Sequence, residues 1–311
     1  MVSSSACALT DPYLSPVLLN ASGCLDALTA PDVARSLDAY VTKTVTPLPR
    51  GGNEPVRIAE TDVGMLNSIG LANPGIDRFV DEYLPRLAEL GVPIWVSVGG
   101  FSVDDYAQCV SRLDAHPEVS AIELNLSCPN VDAFEQPTAE IVEAARAETT
   151  KPLYAKLSPA VPDVAAVAVA ARDAGADGLS LVNTIRGLAL DERTLQPRLA
   201  RGAGGLSGPA LRPIALAAVH AAYAATKMPI VGMGGVESGR HALELLAAGA
   251  DRVALGTVLF ADPGAAARIR NELVQETSQR GFASPANATG AAHAAGTAEP
   301  EALDSAHPVS A

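Results

Sequence analysis

Eight short apolar runs recur along the chain and predict strands over residues 16–21, 40–45, 93–98, 121–126, 152–157, 178–182, 229–232 and 252–256. The later runs are continuously apolar, the pattern of parallel strands covered on both faces. Segments of helical character lie between them, over residues 31–39, 76–90, 104–115, 138–149, 161–174, 209–226, 239–248 and 263–280. Gly91, Gly175 and Gly249 close three of these segments just before a strand, where a helix C-cap glycine belongs. Eight β-α units in about 270 residues match a (β/α)8 TIM barrel, an α/β fold in a single domain. An open doubly wound sheet is the alternative, but no strand is followed by G-x-G-x-x-G.

Two excursions break the alternation, over residues 46–75 and 186–208. Both leave carboxyl ends of strands, so a barrel would carry them as loop insertions, lids or binding loops, on its C-terminal face. The barrel domain is expected over residues 1–280. Residues 281–311 are dominated by Ala, Gly, Ser, Thr and Pro with one aromatic, Phe282, and predict a disordered C-terminal tail.

Charge and composition then exclude several classes of partner. A formal net charge of −13 argues against nucleic acid and against anionic membrane surfaces. No apolar run reaches the roughly 18–20 residues that span a bilayer. The amino terminus has neither the basic nor the apolar region of a signal peptide, so a cytoplasmic location is expected. Cys7, Cys24, Cys109 and Cys128 lie far apart, as in a reduced protein without an iron–sulfur set. The five histidines fall on helices or the tail, and no metal site is expected.

Candidate chemistry gathers at the predicted strand ends. Residues 121–130 read A-I-E-L-N-L-S-C-P-N, where Pro129 ends the strand and leaves Cys128 at its carboxyl end. Asn125 and Asn130 flank that thiol with groups that both donate and accept, which suits a planar polar ligand. Taken by itself the stretch reads first as a buried, inert cysteine near a turn, and only the rest of the chain overturns that reading. The other ends add A-S-G (Ala21, Ser22, Gly23), T-K-T (Thr42, Lys43, Thr44), Ser97, K-L-S from Lys156, and Asn183 with Thr184. Lys43 and Lys156 would each bury an ammonium, which is costly unless an anion is near. Two such lysines on one face imply an anionic ligand or a developing negative charge. Gly234 and Gly235 after the seventh strand, and Gly256 and Thr257 after the eighth, stand where barrels often bind phosphate. These residues together point to a phosphate-bearing cofactor beside a pocket of amides and one thiol.

The same residues carry a resemblance. V-T-K-T-V-T-P-L-P-R-G-G-N at 41–53, M-L-N-S-I-G-L-A-N-P-G at 65–75 and I-E-L-N-L-S-C-P-N at 122–130 resemble the class 1 dihydroorotate dehydrogenases, in particular the NAD-linked 1B type. P-L-Y-A-K-L-S-P at 152–159, A-G-A-D-G-L-S-L-V-N-T at 174–184, G-G-L-S-G-P-A at 204–210 and G-M-G-G at 232–235 extend the likeness, in order, over nearly the whole chain outside the tail. The resemblance implies a flavin mononucleotide (FMN) barrel that oxidises dihydroorotate to orotate in pyrimidine biosynthesis. Cys128 would be the base that takes the proton from C5 of the substrate, and the C6 hydride would pass to the flavin. Asn67, Asn125, Asn130, Asn183 and Thr184 would hold the pyrimidine and its carboxylate. Lys43 would lie between substrate and flavin, and Lys156 beside the N1–C2 edge of the flavin ring. Ala21, Ser22, Gly23, Thr44, Ser97, Asn125, Val182, Ser207 and Gly208 would continue the flavin contacts, with Gly234, Gly235, Gly256 and Thr257 at the phosphate. Ser97 stands where the family commonly has Asn. After C-P-N the chain runs V-D-A-F-E-Q-P-T, several residues shorter than the glycine-rich loop usual in the family. Cys24 reads as a small packing residue.

The resemblance also implies a homodimer and a separate partner subunit carrying FAD and a [2Fe–2S] cluster, through which electrons reach NAD. Alternatives are fumarate as the direct acceptor, a related flavin-dependent dihydropyrimidine oxidoreductase, and a flavin-binding barrel without turnover. Mere binding requires no base, so Cys128 and the two lysines speak against the last.

Overall fold

The computed structural model describes residues 17–126 and 138–294. In chain order the strands are β1 Val17–Asn20, β2 Tyr40–Val41, β3 Ile58–Thr61, β4 Gly64–Asn67, β5 Ile94–Val98 and β6 Val119–Asn125. There follow β7 Leu153–Leu157, β8 Gly178–Leu181, β9 Ile185–Gly187, β10 Gly204–Ser207, β11 Ile230–Met233 and β12 Arg252–Leu255. The helices are α1 Pro31–Arg35, α2 Ile76–Arg78, α3 Leu84–Ala88, α4 Val103–Asp114 and α5 Thr138–Ala147. The remainder are α6 Val164–Asp173, α7 Arg212–Thr226, α8 Gly239–Ala248, α9 Val258–Ala261 and α10 Ala265–Gln279.

Eight parallel strands form one sheet in the order β1-β12-β11-β8-β7-β6-β5-β2. A single parallel bridge, Leu19 to Ala39, brings the two end strands together. The short β2 leaves little ladder there, and a side chain supplies the rest. Asn20 donates from Nδ2 to the Val41 carbonyl at 2.7 Å, and its Oδ1 accepts from the Val41 N–H at 2.8 Å. A fully buried amide thus replaces two backbone bonds at the seam of the barrel. The predicted fold is the observed one, and every predicted barrel strand has its counterpart.

Two apolar layers follow from the strand period of two. The outer layer joins strand residues such as Ile122, Leu124 and Leu179 to helix residues such as Val110, Ala168 and Val219. The inner one, Leu19, Ala39, Val41, Trp95, Ala121, Tyr154, Val231, Met233 and Ala254, holds no helical residue and fills the barrel. Trp95 and Tyr154 pack there with ring centroids 4.5 Å apart. This plug closes the amino-terminal end, so the polar residues higher on the strands face the carboxyl end.

Capping explains several helix limits. Ser102, Asp163 and Ser238 accept at their side-chain oxygens from Asp105, Ala166 and His241 N–H groups. Gly91, Gly175 and Gly249 have φ of 74°, 100° and 121°, as the C-cap reading requires. The segment predicted as one helix over 76–90 contains a π turn, Phe79–Tyr83, just before Pro85. Proline has no N–H for the regular ladder and crowds the carbonyl four residues back.

The two excursions pair with each other: β3, β4, β10 and β9 form a four-stranded antiparallel sheet. Leu66 pairs with both Ala59 and Leu206, and Ala59, Leu66 and Leu199 form a small core of their own. The tail expected from 281 is ordered up to 294. Residues Pro285–Ala288 and Ala291–His293 form 3-10 turns. Ala288 is fully buried, Thr289 Oγ1 donates to the Ala250 carbonyl at 3.1 Å, and the His293 ring stacks on His220 with centroids 3.9 Å apart. Residues from 295 onward lie outside the described ones. Among the described residues no helix is long and apolar enough to cross a membrane.

Candidate active site

The carboxyl ends of the barrel strands, roofed by the antiparallel sheet, enclose a cavity of about 250 Å³. Its walls include Ala21, Ser22, Gly23, Lys43, Thr44, Asn67, Asn125, Lys156, Val182, Asn183, Thr184, Ser207, Gly208, Gly234, Gly235, Gly256 and Thr257. Parallel strands in register bring these ends to one level: Asn125 pairs with Lys156, and Leu157 with Leu181 just before Val182. The strand-end residues, far apart in sequence, therefore converge by register, and the antiparallel sheet adds Asn67 and Ser207.

A directional chain of polar groups crosses the strand mouths. The Thr184 N–H donates to Asn183 Oδ1 at 2.9 Å, and Asn183 Nδ2 donates to Asn125 Oδ1 at 3.0 Å. Asn125 Nδ2 donates to Thr44 Oγ1 at 3.1 Å, and Thr44 Oγ1 lies 3.0 Å from Ser97 Oγ. From below, Tyr106 on α4 donates its hydroxyl to the Asn125 carbonyl at 2.8 Å. Asn125 is thereby fixed on three sides, and its amide has a second N–H and a second lone pair beyond these bonds. Ser97, expected at the flavin, is fully buried behind Thr44 and is not part of the wall. Its hydroxyl orients the threonine instead.

The two lysines stand differently. Lys156 is 4% exposed; its Nζ donates to Ser22 Oγ at 2.8 Å and lies 3.6 Å from Glu123 Oε1. Glu123, on the barrel-facing side of β6 and 1% exposed, was not singled out from the sequence. The chain thus supplies a carboxylate near Lys156 that the sequence reading did not name. The signal was present, since a charged residue at an inward position of a buried strand demands a partner. Lys43 Nζ stands over Gly23, 3.2 Å from where a Cβ would lie. Cys24 also reaches the cavity wall. Burial pushes its thiol pKa up, against the opposing pull of Lys156 and Lys43. That keeps it protonated, in keeping with a packing residue.

At the far end, Thr257 Oγ1 donates to Ser207 Oγ at 2.8 Å beside Gly234 and Gly235, whose φ are 127° and 69°. A Cβ at Gly234 would meet Ala215 Cβ at 2.8 Å, whereas one at Gly256 meets nothing nearer than 3.6 Å and would only fill cavity space. Hydroxyls and glycine backbone at this end, an ammonium with a serine at the middle, and amides at the other end fit a flavin with a phosphate. The apolar wall was not read from the sequence: Ile58, Met65, Leu71, Met233 and Phe260 line it. Ile58 and Met65 come from the antiparallel sheet, and Asn67 is held there by its bond from Nδ2 to the Gly205 carbonyl at 3.3 Å. Cys128, Asn130 and most of the short loop over 131–138 lie outside the described residues. Among the described residues no cluster of His, Cys, Asp and Glu could hold a metal ion.

Comparisons with known proteins agree with this geometry. The protein-family model described as dihydroorotate dehydrogenase matches residues 7–276. The chain is 46% identical over 267 residues to the "Dihydroorotate dehydrogenase B (NAD(+)), catalytic subunit" of Desulforudis audaxviator, covering 84% of this chain and 87% of that one. It is 44% identical over 255 residues to the protein of the same description from Listeria monocytogenes, covering 80% and 84%. Among solved structures, the DHODH of Eimeria tenella in complex with ferulenol superposes with a TM-score of 0.76 at 24% identity, over 92% of this chain and 90% of that one. That structure shares the fold. On the family match and the identity over most of its length, the chain belongs to the dihydroorotate dehydrogenase family of oxidoreductases.

Proposed function

We propose that this chain oxidises (S)-dihydroorotate to orotate in de novo pyrimidine synthesis, using FMN held in the cavity at the strand ends. The observation that carries this reading is the union of a buried lysine, an ordered chain of asparagine amides and a glycine-hydroxyl cradle along one cavity. FMN, when bound, accepts the hydride that leaves C6 of the substrate.

The chain's own residues supply the rest. Asn125, Asn183 and Thr184, with Asn67 across the cavity, match the donors and acceptors of a pyrimidine ring and orient it. Asn130 completes that set in this reading. Lys43 neutralises charge between substrate and flavin, and Lys156 with Ser22 faces the ring edge where reduction places negative charge. Cys128 removes the C5 proton as its thiolate. Gly234, Gly235, Gly256 and Thr257 hold the phosphate.

The curated relatives are named as catalytic subunits of an NAD-linked enzyme. We therefore infer that electrons leave through a separate subunit carrying FAD and a [2Fe–2S] cluster. The catalytic chain is expected to pair with a second copy. The exposed apolar residues of the antiparallel sheet and its loops, Val56, Ile58, Leu188 and Leu190, are suited to such contact. The free cysteines Cys24 and Cys109 accord with a reducing cytoplasm.

The test is to identify the flavin released from the purified chain, then to follow orotate formation with fumarate, with NAD alone, and with NAD plus the candidate partner. The reading expects FMN, and turnover on NAD only with the partner present. Fumarate turnover would replace the partner by a direct acceptor. Oxidation of another dihydropyrimidine in preference to dihydroorotate would overturn the substrate assignment.

A further inference from the structure

Glu123 is an ionisable group inside the barrel that the proposed reaction leaves unused. It is 1% exposed, and its Oε1 is buried without a hydrogen-bond partner among the described residues. That oxygen lies 3.6 Å from Lys156 Nζ, too far for a hydrogen bond, while the same ammonium donates to Ser22 Oγ at 2.8 Å. Ser22 and Lys156 line the cavity; Glu123 does not. On the neighbouring strand β8, Ser180, in register with Lys156, also has a buried and unpartnered Oγ.

A buried pair kept for stability alone closes its hydrogen bonds, because desolvation otherwise outweighs the attraction. Here the ammonium is bonded on the cavity side and the carboxylate stands behind it with an open oxygen. We infer that Glu123 is a positioning residue: acting through Lys156, it sets how much positive charge the floor of the cavity presents to the flavin. The inference rests on the reading that places Lys156 at the flavin ring. The carboxylate, 3.6 Å from the ammonium, offsets part of its charge. Neutralising it leaves the ammonium uncompensated, which favours the electron-rich reduced flavin.

The experiment is a potentiometric titration of bound FMN at pH 6 in the wild type, Glu123→Asp and Glu123→Gln, with FMN affinity measured alongside. The expected result is a rise in the ratio of reduced to oxidised flavin at fixed poise, on the order of tenfold in Glu123→Gln, or about 30 mV for a two-electron couple. Glu123→Asp, with its carboxylate drawn back by one methylene, falls between the two. In a Lys156→Gln background the Glu123→Gln change should have no further effect. Should Glu123→Gln fail to fold, Glu123→Asp alone carries the test through its smaller positive shift. Flavin bound with an unmoved potential in both variants, or a shift undiminished without Lys156, overturns the inference while leaving the functional reading intact. A wild type that binds no flavin overturns both.

Discussion

Asn183 donates from Nδ2 to Asn125 Oδ1 at 3.0 Å, joining the ends of β8 and β6 over the mouth of β7, from which Lys156 rises. Because Asn125 also donates to Thr44, its removal breaks both links. Asn125→Ala is expected to lower kcat/KM for dihydroorotate by about 100-fold or more through lost orientation. The stability cost should be about 1–3 kcal/mol for the unpaired groups left behind. Steady-state kinetics and thermal melting check both, and near-wild-type kinetics would remove the amide chain from the substrate site.

Gly234 tests the phosphate end. An alanine there must adopt a φ near 127° and press on Ala215, at a backbone cost of about 1–2 kcal/mol. Gly234→Ala should purify largely without visible flavin absorbance. Gly51→Ala, where a Cβ meets nothing within 4 Å, serves as the control and should retain it.

The thiols should separate by environment. Burial pushes Cys109 up to about 12 and raises Cys24 as well, so both stay protonated and unreactive at pH 8. Peptide mapping after iodoacetamide should find Cys128 modified well before either, with orotate protecting it. Cys128→Ser should slow flavin reduction at neutral pH, and the wild-type rate should rise from pH 6 to 9 as thiolate accumulates. Early labelling of Cys24 would point to a second reactive thiol.

His241 gives a stability prediction with a definite sign. Burial, and then the Arg212 guanidinium beside it, hold its pKa below the ordinary value. The unfolded chain, with an ordinary His near 6.5, then binds more protons below that pH than the folded one. The contribution is whole above about pH 6.5 and is lost as pH falls from there towards the folded value. The melting temperature should drop between pH 7.5 and 5.5, and His241→Gln should flatten that drop. An unchanged slope in the variant would assign the acid sensitivity to other groups.

The barrel was legible because strands buried on both faces and helices with glycine ends leave strong periodic signals. Most of the cavity wall followed, since strand ends such as Asn125, Lys156 and Asn183 share one face by register. The antiparallel sheet was not legible. Its strands β9 and β10 are three and four residues long and glycine-rich, and they acquire partners only through the fold. Asn20 and Glu123 were missed because their partners, Val41 and Lys156, lie on other strands. Ser97 lies buried behind Thr44, its hydroxyl against that of the threonine, a contact between two segments that the sequence does not display. Residues 281–294 look like linker by composition, yet Ala288 and His293 find a groove on the packed helices.

Oxidation of dihydroorotate in this cavity by its own flavin can be followed in a stopped-flow mix of the purified, flavin-loaded chain with dihydroorotate in the absence of oxygen. Bleaching of the visible flavin band is expected, with one orotate formed per flavin and slower bleaching in Cys128→Ser. A flavin that stays oxidised in the presence of excess dihydroorotate would contradict it.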